Sequence, residues 1–334
     1  MSALDCFGRR GLAPLRAVAL MFALAPGASF LRADHGPGTT GGSSTQSGET
    51  LKPGAIAFGV RWDYTHFENL TSSQIAHRAE QVGGEHAHFD ALRWNLLTTF
   101  ELSYGVLEDL QLSLSTGLYR GDDVREGHVE ETGEVETHDH GDVVGWTDLW
   151  VSGKYRFLKG PYGQAAALAG VKLPTGRDDV RGAEDEKLEP TLQPGSGAFD
   201  FLAGAAYSVW LVERLSLDAS TSYTFRTEDD DFKVGDRIDG GFAVTYRLTQ
   251  DVKSFPQVAI FVEPSIRHVF KTREDGHLVK NTGGTVLFLT PGVRIGLTEH
   301  VSFMLAPQIP LLQLLNSEQQ ETRIKLLGGL TVTF

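Results

Sequence analysis

Leu110–Tyr119 reads LQLSLSTGLY. Leu110, Leu112, Leu114 and Leu118 fall on one side of an extended chain, and Gln111, Ser113, Ser115 and Gly117 on the other. Successive side chains of a strand point to opposite faces, so the alternation predicts a strand with one apolar and one polar face. LSLDASTSYTFR from Leu215, IDGGFAVTYRL from Ile238 and IKLLGGLTVTF, which runs to Phe334, repeat it. Strands of soluble domains average about five or six residues. These are about twice as long, the length a tilted strand needs to cross a bilayer.

Working outward, about twelve such segments lie near 54–65, 91–105, 110–120, 147–157, 163–174, 198–210, 214–226, 237–248, 257–270, 284–296, 301–309 and 321–334. The connections between them alternate in length. Loops at 66–90, 121–146, 175–197, 227–236, 271–283 and 310–320 are separated by turns at Val106–Asp109, Lys159–Gly163, Val212–Glu213, Thr249–Pro256 and Leu297–His300. Long loops on one side and short turns on the other are the pattern of an up-and-down outer-membrane barrel. The expected fold is therefore all-β, a transmembrane antiparallel up-and-down β-barrel of about 12 strands spanning 53–334. A secreted β-sandwich has no reason to alternate its loops in this way.

Aromatic residues support the barrel. Trp62, Tyr64, Trp94, Tyr104, Tyr119, Trp150, Tyr155, Tyr207, Trp210, Tyr223 and Tyr246 gather toward segment ends, where interfacial girdles sit.

The N-terminus reads as an export signal. Arg9, Arg10 and Arg16 precede the apolar AVALMFALAPGA, and small residues lead to Ala33. This describes a cleavable signal peptide over 1–33, with Ala28 and Ala33 both suitable as the last residue. Residues 34–52, rich in Gly, Ser and Thr, are expected to be a flexible N-terminal segment. Removal of 1–33 takes away the only cysteine, Cys6, so disulfides and thiolate chemistry are excluded. It also moves the net charge from −13 to about −16, which argues against a nucleic-acid partner.

If the apolar face meets lipid, the other face lines a lumen. It carries Arg61, Asp63, Arg93, Glu101, Lys154, Arg156, Lys172, Asp200, Asp218, Arg226, Asp239, Arg247, Glu263, Arg267, Arg294 and Lys325. A lipid-facing Arg near the midplane costs about 2–4 kcal/mol, so this density of charge fixes the inward face. The charges either line an aqueous path or pair with one another and plug the barrel; a narrow solute path is the preferred reading.

GVKLPTGRDD (Gly170–Asp179) followed by QPGSGAFDFLAGAAYS (Gln193–Ser208) carries a family resemblance. The pair resembles the outer-membrane barrel family associated with the meta-cleavage (MetA) pathway of phenol degradation. Its members end a strand in K-L-P-T-G and enter the next through G-S/T-G-x-x-D. Lys172–Gly176 match the first motif, and Gly195, Ser196, Gly197 and Asp200 the second. The match is good over 145–250; Arg181–Pro190 is longer and more acidic than the family pattern. The resemblance implies a channel for aromatic or other small hydrophobic compounds. The terminal Phe334 likewise resembles the closing strand that the barrel-assembly machinery reads. Read from the residues alone, Pro174 and Gly176 end a strand, and Gly195 and Gly197 allow a tight re-entry.

Two loops carry metal-type donors. His66, His77, His86 and His88 lie in the first, and His128, His138 and His140 in the second. His86-x-His88 and His138-x-His140, with Asp139, Asp142 and Glu136, offer imidazole and carboxylate ligands for a divalent metal. A solvated polar loop is the reading preferred over metal capture at a pore mouth. The acidic tips Gly182–Pro190 and Thr227–Asp236 offer carboxylates for calcium or magnesium bridging lipopolysaccharide, but lack the EF-hand spacing. No nucleophile–base motif, phosphate loop or dinucleotide fingerprint follows Pro53, so no enzymatic activity and no resident cofactor are expected.

The expected function is passive passage of small organic solutes through the outer membrane. The alternatives are a barrel that binds metal cations through its outer loops and a structural or adhesion barrel that transports nothing.

Overall fold

The computed structural model describes residues 41–83, 88–129, 134–182, 185, 187–251 and 253–334. The segment read as a signal peptide lies outside them. Twelve long strands form one closed antiparallel barrel. They are β1 (Ile56–Phe67), β3 (Trp94–Leu107), β4 (Leu110–Val129), β6 (Leu149–Gly160), β7 (Gly163–Leu173) and β8 (Asp200–Val212), then β9 (Leu215–Arg226), β11 (Arg237–Arg247), β12 (Gln257–Val269), β15 (Gly284–Gly296), β16 (Val301–Leu315) and β17 (Thr322–Thr333). Each pairs with its sequence neighbours, and β1 against β17 closes the cylinder with Arg61 opposite Gly329 and Asp63 opposite Leu327. Closure leaves no barrel strand with an unpaired edge, a requirement for a β-structure in lipid.

The register assigns the faces. Leu112 and Leu114 point outward and are nearly half exposed, as are Leu102, Phe201, Phe225, Phe242 and Ile260. An apolar surface this extensive in water would drive association; around a barrel of this strand length it faces hydrocarbon. Tyr64 and Trp94 lie with ring centroids 5.7 Å apart, tilted by 37°, on the same outer surface, in keeping with a girdle. Three of the aromatics read as girdle residues face inward instead: Tyr119 opposite Leu97, Trp150 opposite Ser115, and Trp210 opposite Ser216. Position near a strand end does not by itself tell the two faces apart; parity does.

The long loops are more ordered than their composition suggests. The first holds α1 (Ser72–Val82) and β2 (His88–Ala91). Helix α1 starts with a capping box, in which Thr71 Oγ1 accepts from the Gln74 backbone N–H and the Gln74 side chain accepts from Thr71 N. Its buried Ile75 and Ala79 pack with Leu70, Phe89 and Ala91. The stretch read as a second loop, 121–146, is a β-hairpin. Strand β4 runs on past the membrane to Val129 and pairs with β5 (Val135–Trp146). Val124 and Val143 there bury against Val180, Leu188 and Leu192. Two small apolar clusters thus bind the outer loops into a cap. The short pairs β10 (Phe232–Lys233), β13 (Arg273–Glu274) and β14 (His277–Leu278) complete it.

Residues 41–52 correct a second expectation. This part of the segment read as flexible lies inside the barrel, with Ser43, Thr45 and Leu51 buried.

Candidate functional site

The lumen is built from the inward parity of every strand. At its short-turn end the chain 41–52 crosses the bore from strand to strand. Gly54 N donates to Gly105 O, Leu51 N to Gln111 Oε1, Gly48 N to Ser208 Oγ, and Gln46 N to Ser220 Oγ. Lys154 Nζ donates to Glu49 O and Arg61 to Ser43 O.

The anchor is Glu263, which is fully buried. Its Oε2 accepts from Ser43 N and Oγ at 2.6 Å, and its Oε1 from Thr45 N and Oγ1 at 2.8 Å and Ser44 N at 3.0 Å. Successive backbone N–H groups curl around the carboxylate as a nest, and two hydroxyls complete it. Arg294 holds the far end through Gly41 O at 3.0 Å. Glycine is needed on this path: a Cβ on Gly42 would come within 2.5 Å of Glu263 Oε2, and one on Gly48 within 2.4 Å of Gln164 O. A Gly/Ser/Thr composition reads as a flexible tail because those residues bury little apolar surface. Here a buried acid supplies the partner that their N–H and hydroxyl groups need.

Beyond this segment the lumen keeps a cavity of about 330 Å³. Arg61, Asp63, Glu101, Lys154, Asp239, Glu263, Arg267 and Lys325, all expected on the inward face, line it. Lys325 pairs with Asp63 at 2.9 Å, and Arg267 with Asp239 at 2.8 Å. Arg237, 2.6 Å from Asp239, also lines it. It was missed at the start of its strand, although it shares parity with Asp239. Leu168, Leu202, Phe288 and Leu327 form the apolar parts of the wall. A lumen with charge pairs between apolar patches accepts solutes that are partly polar and partly apolar.

The other expected lumen residues sit elsewhere. Asp218 accepts from Ser208 Oγ in the wall beside the N-terminal segment. Arg156 bonds Asp109, and Arg247 bonds Glu213 O, both at short turns. Arg93 caps the opposite rim against Asp122. Lys172, Asp200 and Arg226 belong to a closed latch. Lys172 Nζ lies 3.1 Å from Asp148 and 2.8 Å from Asp200 and donates to Ser196 Oγ; Arg226 approaches Asp200 at 3.8 Å. Asp148, which sequence reasoning did not single out, accepts from Gly176 N at 2.9 Å and Ser196 N at 3.1 Å. A Cβ on Gly195 would meet Gly176 at 2.7 Å. The K-L-P-T-G and G-S-G stretches therefore clasp each other around one buried carboxylate.

The metal candidates separate. His138 and His140 share a strand face with ring centroids 6.3 Å apart, and His140 Nε2 lies 3.3 Å from Glu126. Strand parity sends Asp139 to the opposite side, where it accepts from Gly141 N, and Asp142 pairs with Arg120. His88 lies opposite His128 on β4. His86 lies outside the described residues. Among the described residues no group of three or more His, Cys, Asp or Glu side chains is arranged to hold a metal.

No curated protein matches the chain. Among solved structures, an outer-membrane channel from Pseudomonas putida F1 is similar at TM-score 0.60 and 15% identity, over 86% of this chain and 97% of that one. The toluene transporter TodX from Pseudomonas putida is similar at TM-score 0.41 and 9% identity, over 85% and 90%. LpxR from Salmonella typhimurium is similar at 0.42 and 12%, over 84% and 100%. At such identities the first of these bears on fold alone, and that fold is the outer-membrane barrel read from the strands. Residues 81–305 match the family described as "Putative MetA-pathway of phenol degradation", a span that covers most of the barrel and both clasped motifs; the chain belongs to that family.

Proposed function

We propose that this barrel is a passive channel of the Gram-negative outer membrane for small organic solutes, aromatic and other hydrophobic compounds among them. The observation that carries the reading is the lumenal cavity of about 330 Å³, walled by charge pairs and by apolar side chains. Segment 41–52 narrows the short-turn end, which is the periplasmic end in barrels of this kind. The P. putida F1 protein is an outer-membrane channel and TodX is a toluene transporter; passage of small solutes through this chain is the matching proposal. Export through residues 1–33, insertion by the barrel-assembly machinery at Phe334 and contact with lipopolysaccharide around the outer loops belong to the same reading.

The test is reconstitution of the purified barrel. Single-channel conductance together with swelling of liposomes in small aromatic and neutral solutes supports the channel. A folded barrel that gives neither conductance nor swelling is a structural protein.

A further inference from the structure

A second cavity, of about 320 Å³, lies in the outer cap, and its chemistry differs from that of the lumen. Part of its wall is apolar: Phe67 ends β1, Phe232 lies on β10, and Val279 follows β14, while Thr191, Asn281 and Gln319 are among the neutral polar groups beside them. Asp90, Glu189 and Glu274 reach it from three separate elements. Glu318 also borders it but lies 3.9 Å from Arg78. Among the described residues that line it there is no Lys or Arg. The one basic group is His88, whose electrostatic neighbours are Asp90, Glu189, Glu126 and Glu274.

Asp90 supplies an independent observation. Its Oδ1 has less than 1 Å² of exposed surface and no hydrogen-bond partner among the described residues, although the residue as a whole is partly exposed. Its Oδ2 accepts only one long bond, 3.4 Å from Thr191 Oγ1. With Oδ1 closed off and Oδ2 on one long bond, the carboxylate is under-bonded, and the donor it calls for must come to Oδ2. The neighbouring acids call for that donor to be positively charged.

We propose that the outer-mouth cavity binds a small organic cation, a protonated amine on an aromatic or aliphatic body. The ammonium group donates to Asp90 between Glu189 and Glu274, and the apolar part packs against Phe67 and Phe232. The site would retain such solutes at the entrance; it deepens the channel reading, but binding itself does not require conduction. A bare metal ion suits the site less, because the acids stand apart on separate elements with aromatic rings between them. The ammonium would favour the ionised form of acids that burial and mutual repulsion hold above their ordinary range, Asp90 at about 7 and Glu189 raised. Binding near neutral pH therefore releases protons.

The experiment is calorimetric titration of the purified full chain in detergent with benzylamine, with benzyl alcohol and benzoate as probes of similar shape. Asp90→Asn and Glu189→Gln, singly and together, are compared with Arg61→Gln, which changes the lumen only. Retention of the heat-modifiable gel shift shows that each variant is folded. The expected result is benzylamine binding at least tenfold tighter than benzyl alcohol, with protons released in buffers of differing ionisation enthalpy. That preference should be lost in the double variant and kept in Arg61→Gln. Equal binding of amine and alcohol, preference for benzoate, or a folded double variant with unchanged affinity overturns the proposal. So does displacement of benzylamine by magnesium beyond the effect of sodium at equal ionic strength. Because binding is read without a membrane, a protein that binds benzylamine but does not conduct sinks the channel and leaves the site standing.

Discussion

Ser43 and Glu263 lie 220 residues apart in the chain and 2.6 Å apart in the lumen, where the backbone N–H and the hydroxyl of the serine both donate to one carboxylate oxygen. This contact holds a segment of low sequence complexity across the short-turn end of the barrel. The N–H and hydroxyl groups of the segment stand in for water around a buried acid, and each hydrogen bond to a charged group contributes about 1.5–3 kcal/mol. Deletion of 41–48 therefore leaves Glu263 to water, and water needs room in the bore. Single-channel conductance should rise severalfold in the deletion variant and to an intermediate level in Glu263→Gln, whose amide keeps one acceptor oxygen and turns an NH2 donor toward the other set of donors. Conductance equal to that of the intact chain in both would show that the segment does not restrict the path.

Lys172 is the only cation that touches both Asp148 and Asp200 within 4 Å among the described residues. Lys172→Met leaves two buried carboxylates facing each other with Arg226 at 3.8 Å as the remaining counter-charge. The loss should be about 3–5 kcal/mol, read as a lower temperature for the heat-modifiable gel shift. Lys172→Met combined with Asp148→Asn should recover part of it. If Lys172→Met unfolds at the same temperature as the parent, the clasp between the two motifs contributes nothing to stability.

The barrel was legible because lipid and water face opposite sides of each strand. Leu112, Leu114, Asp239 and Arg247 alternate visibly, and the length of each run tells a membrane strand from a soluble one. Parity marks the polar face of each strand, which Arg61, Glu101 and Asp239 share. What it could not predict is which inward charge meets which, since pairing depends on strand register and on depth. Lys172 and Asp239 have the same parity, yet one is locked in a latch and the other lines the cavity. Asp148 shares the inward parity of Trp150 and Lys154 within 147–157, but parity does not say that it sits just before the strand, where it meets Gly176 and Ser196. The N-terminal segment was misread for a different reason: polar, glycine-rich chain has no apolar face, and its partner, Glu263, is distant in sequence. The helix in the first loop did leave a local mark. Thr71-x-x-Gln74 is a capping box, and its signal stands in the sequence.

The two faces of β4 allow a direct comparison. Leu114 points to lipid and is 45% exposed, and Ser113 points into the lumen. An arginine on the lipid side near mid-membrane costs about 2–4 kcal/mol, whereas the lumenal side admits charge. Leu114→Arg should lower the yield of folded barrel in detergent or vesicles and its resistance to denaturant. Ser113→Arg should fold normally and change conductance instead. Equal losses of stability in both would contradict the assigned faces.

Asp90 makes the outer cap sensitive to pH. Burial pushes its carboxyl up to about 7, against the opposing attraction of His88, with Glu126 of β4 and Glu189 of the neighbouring loop adding repulsion. Burial works to lower His88, but Asp90, Glu189, Glu126 and Glu274 outweigh it, so the imidazole is raised. For Asp90 the folded pKa exceeds the unfolded one, so the folded cap binds the proton more tightly than the unfolded chain. Its stability is full below about pH 4 and falls as pH rises through the interval to about 7, then levels off. His88 acts with the same sign, since a raised histidine stabilises the fold when protonated and ceases to do so as pH rises through its folded pKa. Hydrogen exchange of residues 70–83 and 88–91, corrected for the intrinsic rate, should therefore be slower at pH 5.5 than at pH 8 by severalfold. Asp90→Asn should remove most of that difference while leaving exchange in the barrel strands unchanged. A difference of the same size in the variant would assign the pH dependence to other groups and take Asp90 out of the cap's energetics.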